Sequence, residues 1–449
     1  MRNVHISGSK SDHLDWFRQG VLYQIFPDRF AREENGKERE LENWNNLPTR
    51  ENFFGGNFRG IQAKTEYFTE LAIQNIYFTP IFKAPANHRY DTSDYLELDP
   101  LLGNEVDFRS LVQELKKSNI GIILDAVFNH SGEEFPPFLK AMQGDPISRK
   151  WFQFDGPNNE YQTVGGAQMM PQLNTANEEV VEYFKKVMRK WDSFGIRGWR
   201  LDVPWKTETG FFDQLKQDLK PLASNKLWIA EAWWLWNLMQ YSESVMNYHA
   251  RNRILDFVHR HHADAEDFIV DLLQWTSQWE DPSLILNTVG SHDTPRLLTM
   301  CDGDKVDALF SIALNMLIPG VPMLYYGDEI ALPGENDPDC RRTFPRTMNS
   351  EEIQFLAKVK KFTNLRASHK SLSHGSFDSI HLRNHALVFQ RSHGECQIYM
   401  AINTNDRVEA FRTSLDLDWD VIEGKVWNQN GLVELHPKSL AIFVKKCKC

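Results

Sequence analysis

Several features are scarce or missing in this chain of 449 residues. Its five cysteines are few and odd in number, which favours free thiols in a reducing compartment over a disulfide framework. No apolar run approaches the length of a membrane-spanning helix, so we expect no membrane partner. The first residues are polar and include no apolar signal segment, and with the expected free thiols this predicts a cytoplasmic protein.

An excess of positive charge is also missing. Lys and Arg total 50 against 61 Asp and Glu, which gives a formal net charge of -11. A surface of that sign repels nucleic acid and anionic lipid, so neither is an expected partner, whereas a neutral ligand meets no such barrier. The pair Cys447 and Cys449 is an isolated C-x-C, which is weak evidence for a metal site. We predict neither a bound metal nor a cofactor.

The chain does contain a repeating order of short apolar runs and amphipathic segments. The predicted strands cover residues 21–26, 75–79, 121–125, 198–203, 227–231, 284–289 and 323–326, with an eighth near 254–258. Between two of them, Asn177 is a candidate N-cap, an apolar stripe follows at helical spacing, and Gly195 marks the helix end. Strands that alternate with helices predict a parallel sheet, and about eight of them favour a closed TIM (β/α)8 barrel of the α/β class.

The predicted strands and helices divide the chain into four segments. Residues 1–130 and 177–372 are predicted to form the barrel. Residues 131–176 lack the repeat and are rich in Pro and Gly, so we expect an excursion over one face of the barrel after its third strand. Residues 373–449 contain short strands separated by polar turns, which predicts a C-terminal antiparallel β-domain.

Three carboxylates lie at the C-terminal ends of separate predicted strands: Asp202, Glu231 and Asp293. The C-terminal ends of the strands of a parallel barrel converge on one face, where active sites lie. Acids gathered there, with His and Arg beside them, are the groups needed to break a glycosidic bond. The sequence therefore predicts a site for glycoside chemistry.

Taken alone, each motif also has a purely structural interpretation. Arg200 and Asp202 are two apart on a strand and share a face, so Arg200 either keeps a nucleophile ionised or forms a structural ion pair. Asp125 and His130 either contact a substrate or cap a strand end. Asp293 either holds substrate hydroxyls or caps a helix.

Glu231 is followed and preceded by indoles, at Trp228, Trp233, Trp234 and Trp236. An apolar setting disfavours the charged form of a carboxyl and so raises its pKa, which would suit Glu231 to act as a general acid. Alternatively, these indoles belong to the core, or they form a platform for a sugar ring.

The whole set resembles the α-amylase family of glycoside hydrolases. Four family regions stand in order at residues 125–130, 198–206, 229–233 and 289–296, and the likeness extends from about residue 21 to 346. The resemblance implies a TIM barrel with a C-terminal β-domain and a retaining mechanism. It makes Asp202 the nucleophile, Glu231 the acid/base and Asp293 the stabiliser of the transition state.

The resemblance also implies the substrate contacts. Tyr90 matches the aromatic residue that stacks on the sugar in the cleavage subsite, and Asp337 with Arg341 matches a pair that holds the next sugar. His130, Arg200 and His292 match residues around the cleaved bond. Trp205 and Lys206 occupy the positions that influence the acceptor side, and because Lys206 replaces the His of typical calcium-binding amylases, we expect no structural calcium.

A finer likeness points to one branch of the family. Met170-Pro171-Gln172-Leu173-Asn174 is similar to the signature of the neopullulanase, cyclomaltodextrinase and maltogenic amylase branch. That branch usually has an extra N-terminal domain, and because only about 20 residues precede the first predicted strand, we expect it to be absent. The expected activity is hydrolysis of α-1,4-glucosidic bonds in maltooligosaccharides, cyclodextrins and starch-like glucans. An endo-acting α-amylase, an α-glucosidase, a transglycosylase and a non-catalytic binding subunit remain alternatives, and the oligomeric state is open.

Overall fold

The computed structural model of the protein describes residues 3–4, 12–34, 41–156, 159–218, 226–233, 242–413 and 418–445. Within these residues, eight short parallel strands close into a barrel. Each strand pairs with the next in chain order, and the eighth pairs with the first. Their bounds are β1 Leu22–Ile25, β2 Asn75–Phe78, β3 Gly121–Ala126, β4 Gly198–Leu201, β5 Leu227–Ala230, β6 Ser244–Asn247, β7 Leu286–Thr288 and β8 Val321–Tyr325. The predicted TIM barrel is confirmed.

Helices separate the barrel strands. The longer ones are α1 Glu105–Lys117, α2 Glu178–Asp192, α3 Phe211–Asp218, α4 Tyr248–Leu255, α5 Ala265–Thr276, α6 Lys305–Leu317 and α7 Ser350–Ser368. Shorter α-helices span Asp15–Arg18, Pro27–Phe30, Phe58–Gln62, Thr65–Glu70, Leu297–Met300 and Lys370–Ser373. Single 3-10 turns span Asp12–Leu14, Pro204–Lys206, Pro282–Leu284, Asp328–Ile330 and Asp339–Arg341.

Helix α2 begins where the sequence predicts. The Asn177 side chain accepts a hydrogen bond from the Glu179 N–H at 2.8 Å, which satisfies a donor of the first turn. The residues of the predicted apolar stripe are all buried: Val180, Phe184, Val187, Met188 and Trp191. The helix ends at Asp192, and Gly195 then takes the left-handed φ of 87° that turns the chain towards β4.

Side chains alternate along the barrel strands between two apolar layers. The layer inside the barrel includes Leu22, Tyr77, Ile123, Ile229, Met246, Leu286 and Met323. Their neighbours point outward and pack under the helices, as Trp228 does against Phe212 of α3. Gln24, Asp125 and Arg200 continue the inward rows near the C-terminal ends of their strands and are fully buried. The same period-two alternation that builds the core therefore aims polar groups into the barrel mouth.

The strand predicted near residues 254–258 is wrong. Those residues lie at the end of α4 and in a π-helical turn, Asp256–Arg260. The sixth strand is β6, Ser244–Asn247, in which two apolar residues stand between polar ones. A run so short has too little apolar periodicity to be told from a loop.

The C-terminal part of the described chain is antiparallel, as predicted. Its strands are β9 Ser376–Arg383, β10 Ala386–His393, β11 Cys396–Asn403, β12 Glu409–Arg412, β13 Asp420–Glu423, β14 Val426–Gln429, β15 Leu432–Leu435 and β16 Ser439–Lys445. One sheet has the order Asn3–Val4, β9, β10, β11, β16, β13, and a second has the order β12, β15, β14. Residues 3 and 4 fall in the predicted barrel segment 1–130, yet they pair with β9. The division at residues 131, 177 and 373 otherwise stays a prediction.

The excursion follows β3. It contains the helices Pro136–Met142 and Pro146–Arg149, followed by isolated antiparallel bridges. One bridge pairs Gln172 with His130, so the excursion returns to the C-terminal end of β3. Between β2 and β3, the two short strands Phe82–Lys83 and Asp94–Leu98 pair with each other in antiparallel fashion.

The cysteines differ from expectation at one position. Cys301 and Cys340 are free and buried, but Cys396 is disulfide-bonded, so the prediction of free thiols is wrong there. Cys447 and Cys449 lie outside the described residues. In the part of the chain that the structure describes, no helix is long and apolar enough to cross a membrane. No group of three or more His, Cys, Asp or Glu within those ranges could hold a metal ion.

Candidate active site

The centre of the site is the guanidinium of Arg200, on β4, whose side chain is 1% exposed. Its Nη1 lies 2.9 Å from Asp125 Oδ1 and 2.7 Å from Asp202 Oδ1, and its Nη2 lies 2.9 Å from Glu231 Oε2. Arg200 and Asp202 thus share a face, as their spacing predicts, and the contact with Glu231 is additional. One buried cation joins acids that lie at or just after the C-terminal ends of three neighbouring strands.

Asp202 has a second partner that the sequence analysis missed. The Asn129 side-chain amide donates to Asp202 Oδ2 at 3.1 Å and to the Asp202 carbonyl at 2.7 Å. Asn129 also contacts the ring of His130, with Oδ1 2.5 Å from Nδ1. The only sequence signal was the position of Asn129 beside His130 in a motif whose other polar residues had been assigned roles.

His130 is buried, and burial lowers the pKa of its imidazole, so the ring is neutral at pH 7. Its Nδ1 is engaged by Asn129, but its Nε2 has no hydrogen-bond partner among the described residues. An unpaired buried nitrogen is costly unless a ligand supplies the missing partner. Within the described structure, His130 therefore has one ring nitrogen whose hydrogen-bonding capacity is unused.

Glu231, just after β5, is buried and contacts three groups in the described chain. The Trp233 Nε1–H donates to Oε1 at 2.7 Å, and the Val203 N–H donates to Oε2 at 3.0 Å. Oε2 also faces Arg200. Burial raises the pKa of Glu231 to about 7 and is opposed first by Arg200, while the charges of Asp202 and Asp293 raise it further. This carboxyl holds a proton in a substantial fraction of molecules at neutral pH.

The surroundings of Glu231 differ from the four indoles expected. Trp233 stacks on Tyr248 with ring centroids 3.9 Å apart and an interplanar angle of 6°. Trp228 points outward under α3 and lies in the other apolar layer. Trp234 and Trp236 lie outside the described residues. The raised pKa therefore has its main cause in burial at the barrel mouth, and among the described residues Trp233 is the indole that touches the carboxyl.

The Val203 donor depends on an unusual backbone. Val203 has φ 40° and ψ 52°, in the left-handed region, which a β-branched residue rarely adopts. The 3-10 turn Pro204–Lys206 follows directly. This conformation directs the Val203 N–H at Glu231, and it is the kind of local strain that functional sites retain.

Asp293 lies in a second group of polar residues beyond β7. Its Oδ2 is 3.1 Å from His292 Nε2, and its Oδ1 is 3.4 Å from Arg341 Nη2. Arg341 also pairs with Asp337 Oδ1 at 2.9 Å and donates from Nε to the His292 carbonyl at 3.0 Å. The helix that follows begins at Leu297, with Arg296 at the cap position, so Asp293 is not its N-cap.

Tyr90 connects the two groups. Its ring lies parallel to that of His292, with centroids 5.5 Å apart, and its hydroxyl is 2.9 Å from Asp125 Oδ2 and 2.6 Å from His292 Nε2. On the other side of the imidazole, the Gln24 amide donates to His292 Nδ1 at 2.7 Å, which assigns the ring proton to Nε2. Burial lowers the pKa of His292 well below its usual value, so the ring is neutral. Gln24 had no signal in the sequence, because it lies within an apolar strand.

Two predicted substrate contacts lie apart from these groups. Trp205 is half-buried and packs against the core, and Lys206 is exposed. The carbonyl of Lys206 accepts a hydrogen bond from the Gln172 side chain at 3.2 Å, which ties this turn to the excursion. Both residues border the site through the turn after Val203, and neither contacts the acids in the described structure.

A cavity of about 800 Å³ adjoins the Arg341 side of the site. Its lining includes His88, Arg341 and Asp337 from the barrel, Arg50 from the segment after β1, and Glu133 and Met169 from the excursion. Space of this size beside buried hydrogen-bonding groups is typical of a small-molecule site. The excursion thus forms one wall of a pocket that shares Arg341, the partner of Asp293, with the site.

Comparison with known proteins identifies the family. A model described as the catalytic domain of α-amylase matches residues 24–240 and 228–379, most of the chain. The chain belongs to the α-amylase family. The family expected from the four motifs is confirmed, and so is the prediction that this protein is a glycoside hydrolase.

Named relatives lie in the branch that the short motif indicates. A cyclomaltodextrinase of Geobacillus thermopakistaniensis is 35% identical over 90% of this chain and 71% of its own length. The intracellular maltogenic amylase of Bacillus subtilis is 33% identical over 88% of this chain and 70% of its own. The solved ligand-free structure of cyclic α-maltosyl-(1→6)-maltose hydrolase from Arthrobacter globiformis is 32% identical, with a TM-score of 0.87, covering 96% of this chain and 100% of that one.

We expect Arg200→Met to destabilise this α-amylase-family enzyme by about 3–5 kcal/mol at pH 7.5, because it leaves buried carboxylates without their cation. Folded-state pKa values of about 6 for Asp125 and about 7 for Glu231 would rise further. Acids with raised folded pKa values cost stability when ionised, so the deficit should shrink as pH falls through these values towards about 4. Chemical unfolding at pH 7.5 and 5.0 measures this.

Arg59→Met is the matched control, since Arg59 pairs with Asp107 at 2.8 Å but is 59% exposed. Its effect should be small and nearly independent of pH. An Arg200→Met deficit that stays the same at both pH values would contradict a role for Arg200 as counter-ion of the buried acids.

Proposed function

We propose that this enzyme hydrolyses α-1,4-glucosidic bonds in short and cyclic α-glucans with retention of anomeric configuration. The observation that carries the proposal is the buried group in which Arg200 pairs with both Asp202 and Glu231, while burial raises the pKa of Glu231 to about 7. Retaining glycosidases need an ionised carboxylate as nucleophile and a second carboxyl that is protonated near neutral pH.

In the first step Asp202 attacks the anomeric carbon and Glu231 donates its proton to the departing glycosidic oxygen. The bond between that carbon and the oxygen breaks, and a covalent glycosyl ester with Asp202 forms. Glu231 is then ionised and takes a proton from water, which attacks the same carbon and releases Asp202. Arg200 and Asn129 donate to the side chain of Asp202 and hold it in a fixed position for the attack.

We assign the remaining polar groups to the sugar in the cleavage subsite. Asp293 is 31% exposed, so it is open to hydroxyls and to the positive charge that develops at the anomeric centre. Tyr90 supplies a ring face for stacking, and the neutral rings of His130 and His292 supply hydrogen bonds. Arg341 and Asp337 line the adjoining cavity and are assigned to the next sugar.

The preference for short and cyclic substrates has two supports. Relatives in the comparison are named for action on cyclomaltodextrin and on a cyclic maltosyl-maltose. The cavity beside Arg341, about 800 Å³ in volume, has room for a few sugar rings. Trp205 and Lys206 follow Val203, whose N–H contacts Glu231, and we assign them to the acceptor side of the cleaved bond.

We also infer that the enzyme acts inside the cell. The similar Bacillus subtilis protein is named an intracellular maltogenic amylase. The disulfide at Cys396 argues the other way, because reducing compartments keep thiols reduced. Fractionation of cells that express the native gene, with the enzyme followed by immunoblot, decides between the two locations.

We expect Asp202→Asn to reduce kcat by at least about 10⁴-fold, since an amide of nearly the same volume cannot attack the anomeric carbon. Binding of maltotriose should persist and can be measured by calorimetry. Asp213→Asn, the same exchange at an exposed site on α3, is the control and should leave kcat unchanged. Substantial turnover by a fully folded Asp202→Asn protein would remove Asp202 from its assigned role.

We expect Glu231→Gln to slow hydrolysis of maltotriose far more than that of α-maltosyl fluoride, because fluoride departs with little need for a proton. The wild-type pH profile of kcat/KM should be bell-shaped with an alkaline limb near pH 7, set by the protonated Glu231. The limb should vanish in Glu231→Gln. If it persists, another group is the general acid.

We expect β-cyclodextrin to be hydrolysed with a kcat/KM at least equal to that for starch, mainly to maltose and glucose, with some starch activity remaining. Initial rates on both substrates, with products followed by chromatography, test this. A strong preference for starch with early release of long oligosaccharides would instead identify an endo-acting α-amylase.

A further inference from the structure

Trp233 contacts the carboxyl of Glu231 directly, yet the proposed reaction assigns it no role. Its Nε1–H donates to Glu231 Oε1 at 2.7 Å, and its ring is stacked on Tyr248 with centroids 3.9 Å apart. Tyr248 is 2% exposed, and its hydroxyl donates to Ser291 Oγ at 3.1 Å. Ser291 Oγ also accepts from the Asp293 N–H at 3.3 Å. The indole is therefore held in place from the loop that carries Asp293.

The two oxygens of Glu231 are not equivalent. Oε2 faces the Arg200 cation at 2.9 Å and accepts from the Val203 N–H at 3.0 Å. A proton on Oε2 would remove the acceptor of the Val203 N–H and would neutralise the oxygen that pairs with the Arg200 cation. Oε1 accepts, among the described residues, from Trp233. The acidic proton of Glu231 therefore resides on Oε1, the oxygen that Trp233 contacts.

An N–H donor binds a carboxylate more strongly than it binds a carboxylic acid, because the acceptor is then charged. When Glu231 passes the Oε1 proton to the departing glycosidic oxygen, the bond from Trp233 strengthens as the carboxylate forms. The donor thus favours proton release in the step that breaks the glycosidic bond, when the C1–O bond breaks and the bond from C1 to Asp202 forms.

We infer that Trp233 is a positioning residue that acts through Glu231: it fixes the position of Oε1 and stabilises the carboxylate left after the Oε1 proton moves to the leaving group. This inference rests on the proposed acid/base role of Glu231. Among the described residues, the charged and titratable groups that face Glu231 are Arg200 from β4, Asp202 after β4, Asp293 after β7 and Tyr248 on α4. Trp233 adds an uncharged donor to that set and changes no net charge.

The test is Trp233→Phe, which keeps a ring on Tyr248 and removes the N–H. Loss of a donor to the carboxylate raises the pKa of Glu231, so the alkaline limb of kcat/KM for maltotriose should move to higher pH by about one unit. At the pH optimum, kcat/KM for maltotriose should fall about tenfold, a loss of about 1.4 kcal/mol. For α-maltosyl fluoride, which needs little protonation, it should change less than about threefold.

Turnover of α-maltosyl fluoride also reports the fraction of folded, active variant in the same sample. Trp427→Phe, the same exchange at a 42% exposed position on β14, is the control and should leave both the rates and the pH profile unchanged. An unmoved alkaline limb, or equal losses on the two substrates, would overturn the role of Trp233. The outcome for the proposed function is separate: if Glu231→Gln keeps the alkaline limb, the assignment of Glu231 itself fails.

Discussion

The site depends on the burial of one cation among three acids. Arg200 is 1% exposed and contacts Asp125 on β3, Asp202 just after β4 and Glu231 just after β5. Without it these carboxylates would repel one another in a region from which water is largely excluded. With it, one positive charge still faces three acids, and the remaining negative charge favours the protonated form of Glu231. The chemistry and the integrity of the barrel mouth therefore rest on the same guanidinium.

Much of the architecture could be predicted from the sequence because it depends on local periodicity. Seven of the eight barrel strands in the described structure lie in apolar runs, and α2 has a clear cap and apolar stripe. The ion pair of Arg200 with Asp202 follows from the two-residue period of a strand. The exception was β6, where four residues, two of them polar, carry too little pattern, while the apolar residues near 254–258 belong to helical turns.

The contacts that adjust the site could not be predicted in that way. Asn129 reaches Asp202 across 73 positions in the chain, and Gln24 reaches His292 across 268. Such pairs arise only when the barrel closes, and a polar residue within an apolar strand does not indicate which way it will bond. The sequence shows several Trp residues near Glu231 but not which of them touches its carboxyl. In the fold Trp228 points outward against Phe212, and among the described residues Trp233 is the indole that contacts Glu231.

Val203 shows how stability and activity can oppose each other in one residue. Its left-handed backbone costs of order 1–3 kcal/mol for a residue of this type, and in return its N–H points at Glu231. A glycine there would relax the turn at no steric cost, yet it would also let the peptide swing away from the carboxyl. Selection for thermal stability alone would therefore favour a change at Val203 that weakens the hydrogen bond to Glu231. Substitutions that raise the free energy of unfolding without loss of activity have to lie elsewhere in the chain.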